Sequence, residues 1–93
     1  MYQVYVTNQA KKDLKRLDKP IIKIVLNILE SIAENPYGGE SLYGELSQLK
    51  KWTFTHSGIS YRIAYQIYEE HIEVKVFMIG TRDNFYDELK RRR

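Results

Sequence analysis

Ser60-Tyr61-Arg62-Ile63-Ala64-Tyr65-Gln66-Ile67-Tyr68 is the stretch on which the fold turns. Successive side chains of an extended strand point to opposite faces. Tyr61, Ile63, Tyr65 and Ile67 therefore share one side, and Arg62, Ala64, Gln66 and Tyr68 the other. A turn through Ser57-Gly58-Ile59 precedes this strand, and Trp52-Thr53-Phe54-Thr55-His56 reads as the strand before it. Glu69-Glu70 turns the chain again. Ile72, Val74, Val76 and Met78 then line the core face of a third strand, with Glu73, Lys75 and Phe77 opposite, and the strand stops at Gly80. Three strands joined by short turns predict an antiparallel meander.

Toward the N-terminus, Tyr2, Val4 and Val6 alternate with Gln3 and Tyr5, which predicts a short half-buried strand. Thr7 can cap a following helix, since its hydroxyl can accept from backbone N–H groups of the first turn. Ala10, Leu14 and Leu17 keep helical spacing until Asp18-Lys19-Pro20 breaks the run. Pro20 suits the first turn of a second helix, where its missing N–H costs nothing. Ile21, Ile24, Val25, Ile28, Leu29 and Ile32 give that helix an apolar stripe, and Asn35-Pro36-Tyr37-Gly38-Gly39 ends it. The short connection predicts an antiparallel helical hairpin. Residues 36–49 read as a loop with a helical turn around Glu45 to Leu49, and Asp83 can cap a short final helix. The expected fold is α+β: an N-terminal strand, an antiparallel helical hairpin, a three-stranded antiparallel meander and a short C-terminal helix, in one domain over residues 1–93.

A chain of 93 residues with 43% hydrophobic and 29% charged residues supports one core and leaves no room for a large cofactor. It has no cysteine, which excludes disulfides, thiolate metal sites and cysteine nucleophiles and fits a reducing cytoplasm. No apolar run approaches the ~20 residues of a membrane helix. Met1-Tyr2-Gln3-Val4 lacks the pattern of an export signal. A cytoplasmic protein without membrane association is expected. No metal-ligand pattern, phosphate loop or serine elbow is present, so neither metal nor cofactor is expected.

The net charge is +3, and it is segregated. Lys11, Lys12, Lys15, Arg16, Lys19 and Lys23 crowd the helical hairpin, Lys90 to Arg93 form a basic tail, and Glu69, Glu70 and Glu73 gather at a turn. Phosphate-binding chains segregate charge in this way. A solvated helix face is the ordinary explanation for most of these lysines.

If Trp52 and Phe54 are core, Thr53, Thr55 and Arg62 look out together from a sheet face free of helices, rimmed by Arg82, Lys50, Lys51 and Tyr86. Such a shallow basic bowl suits RNA. Cleavage of a phosphodiester by its own 2′-hydroxyl needs a base, cations around the five-coordinate phosphorus and an acid for the departing 5′-oxygen. Arginine matches phosphate because its planar fork donates two parallel hydrogen bonds. Tyr86 can serve as acid or base if cationic neighbours pull its pKa down from about 10. His56 is the alternative, and an exposed Phe85 could stack on a base. Each residue also has an inert reading. Arg62 could pair with Glu73 across the strands, Tyr86 could pack in the last helix, and His56 and His71 could be solvated.

The segment Gly58-Ile59-Ser60-Tyr61-Arg62-Ile63-Ala64-Tyr65-Gln66-Ile67 and the strand end Val76-Phe77-Met78-Ile79-Gly80-Thr81-Arg82, followed by Tyr86, resemble the RelE/ParE superfamily of toxins from type II toxin–antitoxin systems. The helical start Ala10-Lys11-Lys12-Asp13-Leu14-Lys15-Arg16-Leu17 fits as well, and the resemblance covers nearly the whole chain. It implies a curved antiparallel sheet and a cytoplasmic protein paired with a cognate antitoxin. RelE-like members cut mRNA on the ribosome, in the A site and without a metal, where contacts to 16S rRNA are expected. By residue matching, Arg62 would stabilise the transition state, Arg82 would hold the phosphate, and Tyr86 would activate the nucleophile. Lys50, Lys51, Thr53, Thr55, His56 and Phe85 are the expected substrate contacts. RelE-type nucleases tend to carry lysines where this chain has Thr53 and Thr55, with Lys50 or Lys51 as the compensating cation. ParE-like members share the fold and poison DNA gyrase, and a relative that only binds its antitoxin is a third expectation. An acidic, disordered antitoxin tail would cover the basic helix face and the bowl and displace the C-terminal helix.

Overall fold

Val74, Val76 and Ile79 from one strand, Tyr61, Ile63 and Tyr65 from its neighbour, and Ile21, Val25 and Ile32 from a helix are buried in a single apolar cluster. The computed structural model describes residues 1–92. Its elements are β1 (Gln3–Val6), α1 (Asn8–Lys15), α2 (Lys19–Glu34), β2 (Glu40–Ser41), β3 (Leu49–His56), β4 (Ile59–Tyr68), β5 (Glu73–Thr81) and α3 (Phe85–Arg92). Short 3-10 turns at Pro36–Gly38, Gly44–Leu46 and Glu69–His71 fill the connections. The strands form one sheet in the order β1-β5-β4-β3-β2, with β1 parallel to β5 and the other neighbours antiparallel.

The α+β fold of strand, helical hairpin, meander and final helix is the one the periodicity predicts. Thr7 caps α1, its Oγ1 accepting from the Ala10 N–H at 3.1 Å. Several local expectations are corrected. Residues 36–49 include a two-residue strand, β2, that extends the sheet beside β3; two residues carry too little alternation to reveal it. Ile72 is exposed and left-handed at φ 55, closing the turn rather than joining the core. Asn84, also left-handed at φ 54, precedes α3 and accepts from the Glu88 N–H at 3.0 Å, so the cap position falls there and not at Asp83.

Met78 does not share a face with Val74 and Val76. Ala64 pairs with Met78 while Tyr65 pairs with Val76, leaving Phe77 as an extra residue in β5. This bulge reverses the alternation. Ile79 turns to the helix side, and Met78 joins a second buried cluster with Leu42, Leu46, Leu49, Ala64, Phe85 and Leu89. The second sheet face is therefore not free of helices. α3 and the segment through Leu42 and Leu46 pack on it, and the expected open bowl is a cleft beside a second small core.

One glycine is required by close approach. A Cβ on Gly39 would collide with the Tyr65 hydroxyl and stand 2.8 Å from the Lys51 carbonyl oxygen. Tyr65 is fully buried and donates its hydroxyl to the Pro36 carbonyl at 2.7 Å, and burial pushes its phenol up to about 12.

Candidate active site

Arg62 lies in β4 directly between Thr53 of β3 and Gly80 of β5. Neither neighbour carries a long side chain. The Arg62 Nε and Nη1 are buried and have no hydrogen-bond partner. The pairing with Glu73 does not form, because Glu73 stands opposite Tyr68 at the far end of β4. A buried cationic donor left unpaired is costly, typically by about 1–3 kcal/mol or more. The same guanidinium also bonds the Tyr86 hydroxyl.

α3 brings Tyr86 to this arginine. Phe85 anchors the helix with no exposed surface, and its ring meets that of Tyr86 edge-on at 5.5 Å. Phe85 thus cannot stack on a base, contrary to the sequence reading; it is the apolar peg that seats α3. The Lys51 Nζ donates to the Tyr86 hydroxyl at 2.9 Å and lies 5.6 Å from the ring centroid. Burial acts to raise the phenol's pKa and is the largest single influence. The Lys51 ammonium and the Arg62 guanidinium together, by hydrogen bonding and by charge, outweigh it and hold Tyr86 below the ordinary tyrosine value.

The remaining sequence candidates divide by face. Lys51, Thr53 and Thr55 alternate with Trp52 and Phe54, which pack toward the helices, so they share the Arg62 side, with both threonines exposed. Lys50 and His56 fall on the opposite side by the same alternation. Lys50 donates to the Ser41 hydroxyl at 3.1 Å, and His56 pairs with Ile59 at the hairpin end. Neither joins the Arg62 cluster. Arg82 is exposed, one residue past Thr81, which pairs with Tyr61, and so stands at the Arg62 end of the sheet. Of the compensating lysines, it is Lys51 that reaches Tyr86.

A cleft of about 400 Å³ that no sequence pattern foretells opens beside Tyr86, lined by Glu40, Ser41, Leu42, Tyr43, Leu46, Lys51, Tyr86 and Lys90. Tyr43 next to Gly44, an aromatic in a polar loop, is its one local sign. Among the described residues, no three His, Asp or Glu side chains gather where they could hold a metal ion, and no helix is long and apolar enough to cross a membrane.

A sheet with a helical hairpin on one face, and a short helix delivering a phenol to a strand arginine on the other, is the architecture of a small toxin of the RelE/ParE type. Residues 4–90 match the ParE-like toxin of type II bacterial toxin–antitoxin systems, and the chain belongs to that family. Solved structures agree. One from the toxin–antitoxin complex RelBE2 of Mycobacterium tuberculosis is 28% identical, covering 87% of this chain and 98% of that one, with a TM-score of 0.74. The isolated E. coli RelE toxin is 25% identical over 99% of this chain and 98% of that one, with a TM-score of 0.74. A chain of the intact E. coli RelBE complex is similar in fold, at a TM-score of 0.76 and 22% identity over 89% of this chain and 99% of that one. No curated protein sequence matches the chain.

Proposed function

We propose that this toxin is an endoribonuclease that cuts mRNA in the ribosomal A site in the cytoplasm, and that a cognate antitoxin holds it inactive. The observation that carries the reading is the pair of buried, unpartnered Arg62 nitrogens beside a phenol that Lys51 contacts at 2.9 Å. In the reaction, the Tyr86 phenolate takes the proton from a 2′-hydroxyl. The 2′-oxygen forms a bond to phosphorus and the bond to the 5′-oxygen breaks; the departing oxygen takes a proton from water or from the Tyr86 phenol just formed, and a 2′,3′-cyclic phosphate and a 5′-hydroxyl result. Arg62 donates to the non-bridging oxygens, where negative charge grows in the transition state. Arg82, free in solvent at the same end of the sheet, grips the phosphate or assists the leaving oxygen. The side chains supply the cations of this mechanism without a metal.

Support also comes from the relatives, among which are toxins solved with their antitoxins. The exposed lysines of α1 and α2 are the surface for ribosomal RNA and for an acidic antitoxin segment. The test is cleavage of a defined mRNA in a translating extract. Wild-type protein cuts within A-site codons, and Arg62→Ala does not. Intact message with both proteins sinks the proposal.

A second reading, inhibition of DNA gyrase, draws on Thr53 and Thr55, which expose hydroxyls where an RNA nuclease would gain from lysines. A supercoiling assay separates the two. Unimpaired gyrase at saturating toxin removes the second reading.

A further inference from the structure

We infer that the cleft beside Tyr86 is a nucleobase subsite, with Tyr43 as its stacking platform and Glu40 as its reader of base edges. The identity of the ligand rests on the nuclease reading above. Tyr43 is 89% exposed. A single exposed aromatic is ordinary on a protein surface; the position of this one is not. It stands on the lip of a cleft that shares Lys51 and Tyr86 with the Arg62 cluster. Lys51 and Tyr86 thus join the cleft to the cluster in which a phosphate would sit. The floor is apolar, because Leu42 and Leu46 are buried in the second core. Lys51 and Lys90 add two ammonium groups to the walls, which matches a ligand that carries phosphate.

The backbone that carries Tyr43 is held in place. Ser41 pairs with Lys50, the Leu42 N–H donates to the Leu49 carbonyl at 3.1 Å, and Gly44 turns the chain at φ 60 directly after Tyr43. About 400 Å³ is the scale of one small ligand rather than of a protein segment. Glu40 makes no ion pair among the described residues, and its carboxylate can only accept hydrogen bonds. It favours a base edge that carries an exocyclic amino group, and so cytosine over uracil among pyrimidines.

The experiment is fluorescence anisotropy of the full chain with end-labelled, fully 2′-O-methylated tetranucleotides, which lack the attacking hydroxyl and survive intact. The expected result is a roughly 10-fold or greater loss of affinity in Tyr43→Ala, the range of one base–aromatic stack. Tyr43→Phe binds as the wild type does. Oligo-C binds more tightly than oligo-U, and Glu40→Gln narrows that gap. Binding by Tyr43→Ala within about 2-fold of wild type overturns the subsite, as does the absence of saturable binding by the wild type. Binding as expected by a protein that leaves ribosome-bound mRNA uncut supports the subsite and overturns the nuclease reading alone.

Discussion

Asp13 and Arg92, 79 positions apart, meet in a two-point ion pair, Nη1 to Oδ2 at 2.6 Å and Nη2 to Oδ1 at 3.0 Å. Asp13 Oδ2 also accepts from the Ile79 N–H at 3.0 Å, and Arg92 donates to the Phe77 carbonyl at 3.1 Å. β1 ends at Val6, opposite Val76, so β5 beyond that point is an open edge. Asp13 and Arg92 satisfy the edge groups that β1 leaves behind. They also bind α1 to α3 across the bulge, and so fix the helix that carries Tyr86.

This pair is nearly dry, with side-chain exposures of 9% and 11%. Asp13→Ala leaves the Ile79 N–H without its acceptor and reduces the partners of the Arg92 guanidinium to Glu88 and the Phe77 carbonyl. A loss of about 3–5 kcal/mol in urea unfolding is expected, with a smaller loss for Asp13→Asn. Stability within about 0.5 kcal/mol of wild type in both variants would show that the pair is not structural.

Arg62 should behave in the opposite way. Replacing it with Leu removes two buried donors that have no partner. The variant is expected to be more stable by about 1–3 kcal/mol and inactive. Arg62→Lys keeps a charge but loses the planar fork, and a fall in cleavage rate of about 10²-fold or more is expected. A destabilised Arg62→Leu protein would mean that the guanidinium is held by the fold.

Tyr86 links pH to activity. Its phenolate is favoured in the fold by Lys51 and Arg62 against burial. If the phenolate is the base, cleavage rises with pH through the folded pKa, and Lys51→Met moves that rise to higher pH. The same ionisation contributes stability above the unfolded value of about 10, and the contribution fades as pH falls through the folded value. Ultraviolet difference titration against Tyr86→Phe isolates this phenol. An unmoved profile in Lys51→Met would contradict the assignment.

Gly39, directly before β2, packs against Tyr65 and Lys51. Gly39→Ala places a Cβ against the Tyr65 hydroxyl and the Lys51 carbonyl. Overpacking of this kind costs about 1–3 kcal/mol. Thermal unfolding measures the cost, and an unchanged midpoint would mean that the loop relaxes freely.

Much of this architecture was legible because periodicity reports burial. The alternation from Tyr61 to Ile67 and the apolar stripe from Ile21 to Ile32 each describe a face turned to one core. What failed were features set by a single residue or by tertiary contact. The extra residue at Phe77 reverses every face after it, and no local pattern announces a bulge in an apolar run. Phe85 reads as exposed only if the second sheet face is bare; the second cluster that buries it draws on residues 42–89 and has no local signature. The basic tail looks uniformly solvated, yet Arg92 is an internal ligand of Asp13. Asp13 itself, three residues after the buried Ala10 on the inner side of α1, was the readable clue. Arg93 of that tail lies outside the described residues.

The most direct test of the central claim is the mapping of 5′ ends on ribosome-bound transcripts after brief induction of wild type, Arg62→Lys and Tyr86→Phe. The expected result is new 5′-hydroxyl ends inside A-site codons with wild type and their near absence with both variants. Equal end patterns in all three strains, or no new ends with any, would contradict it.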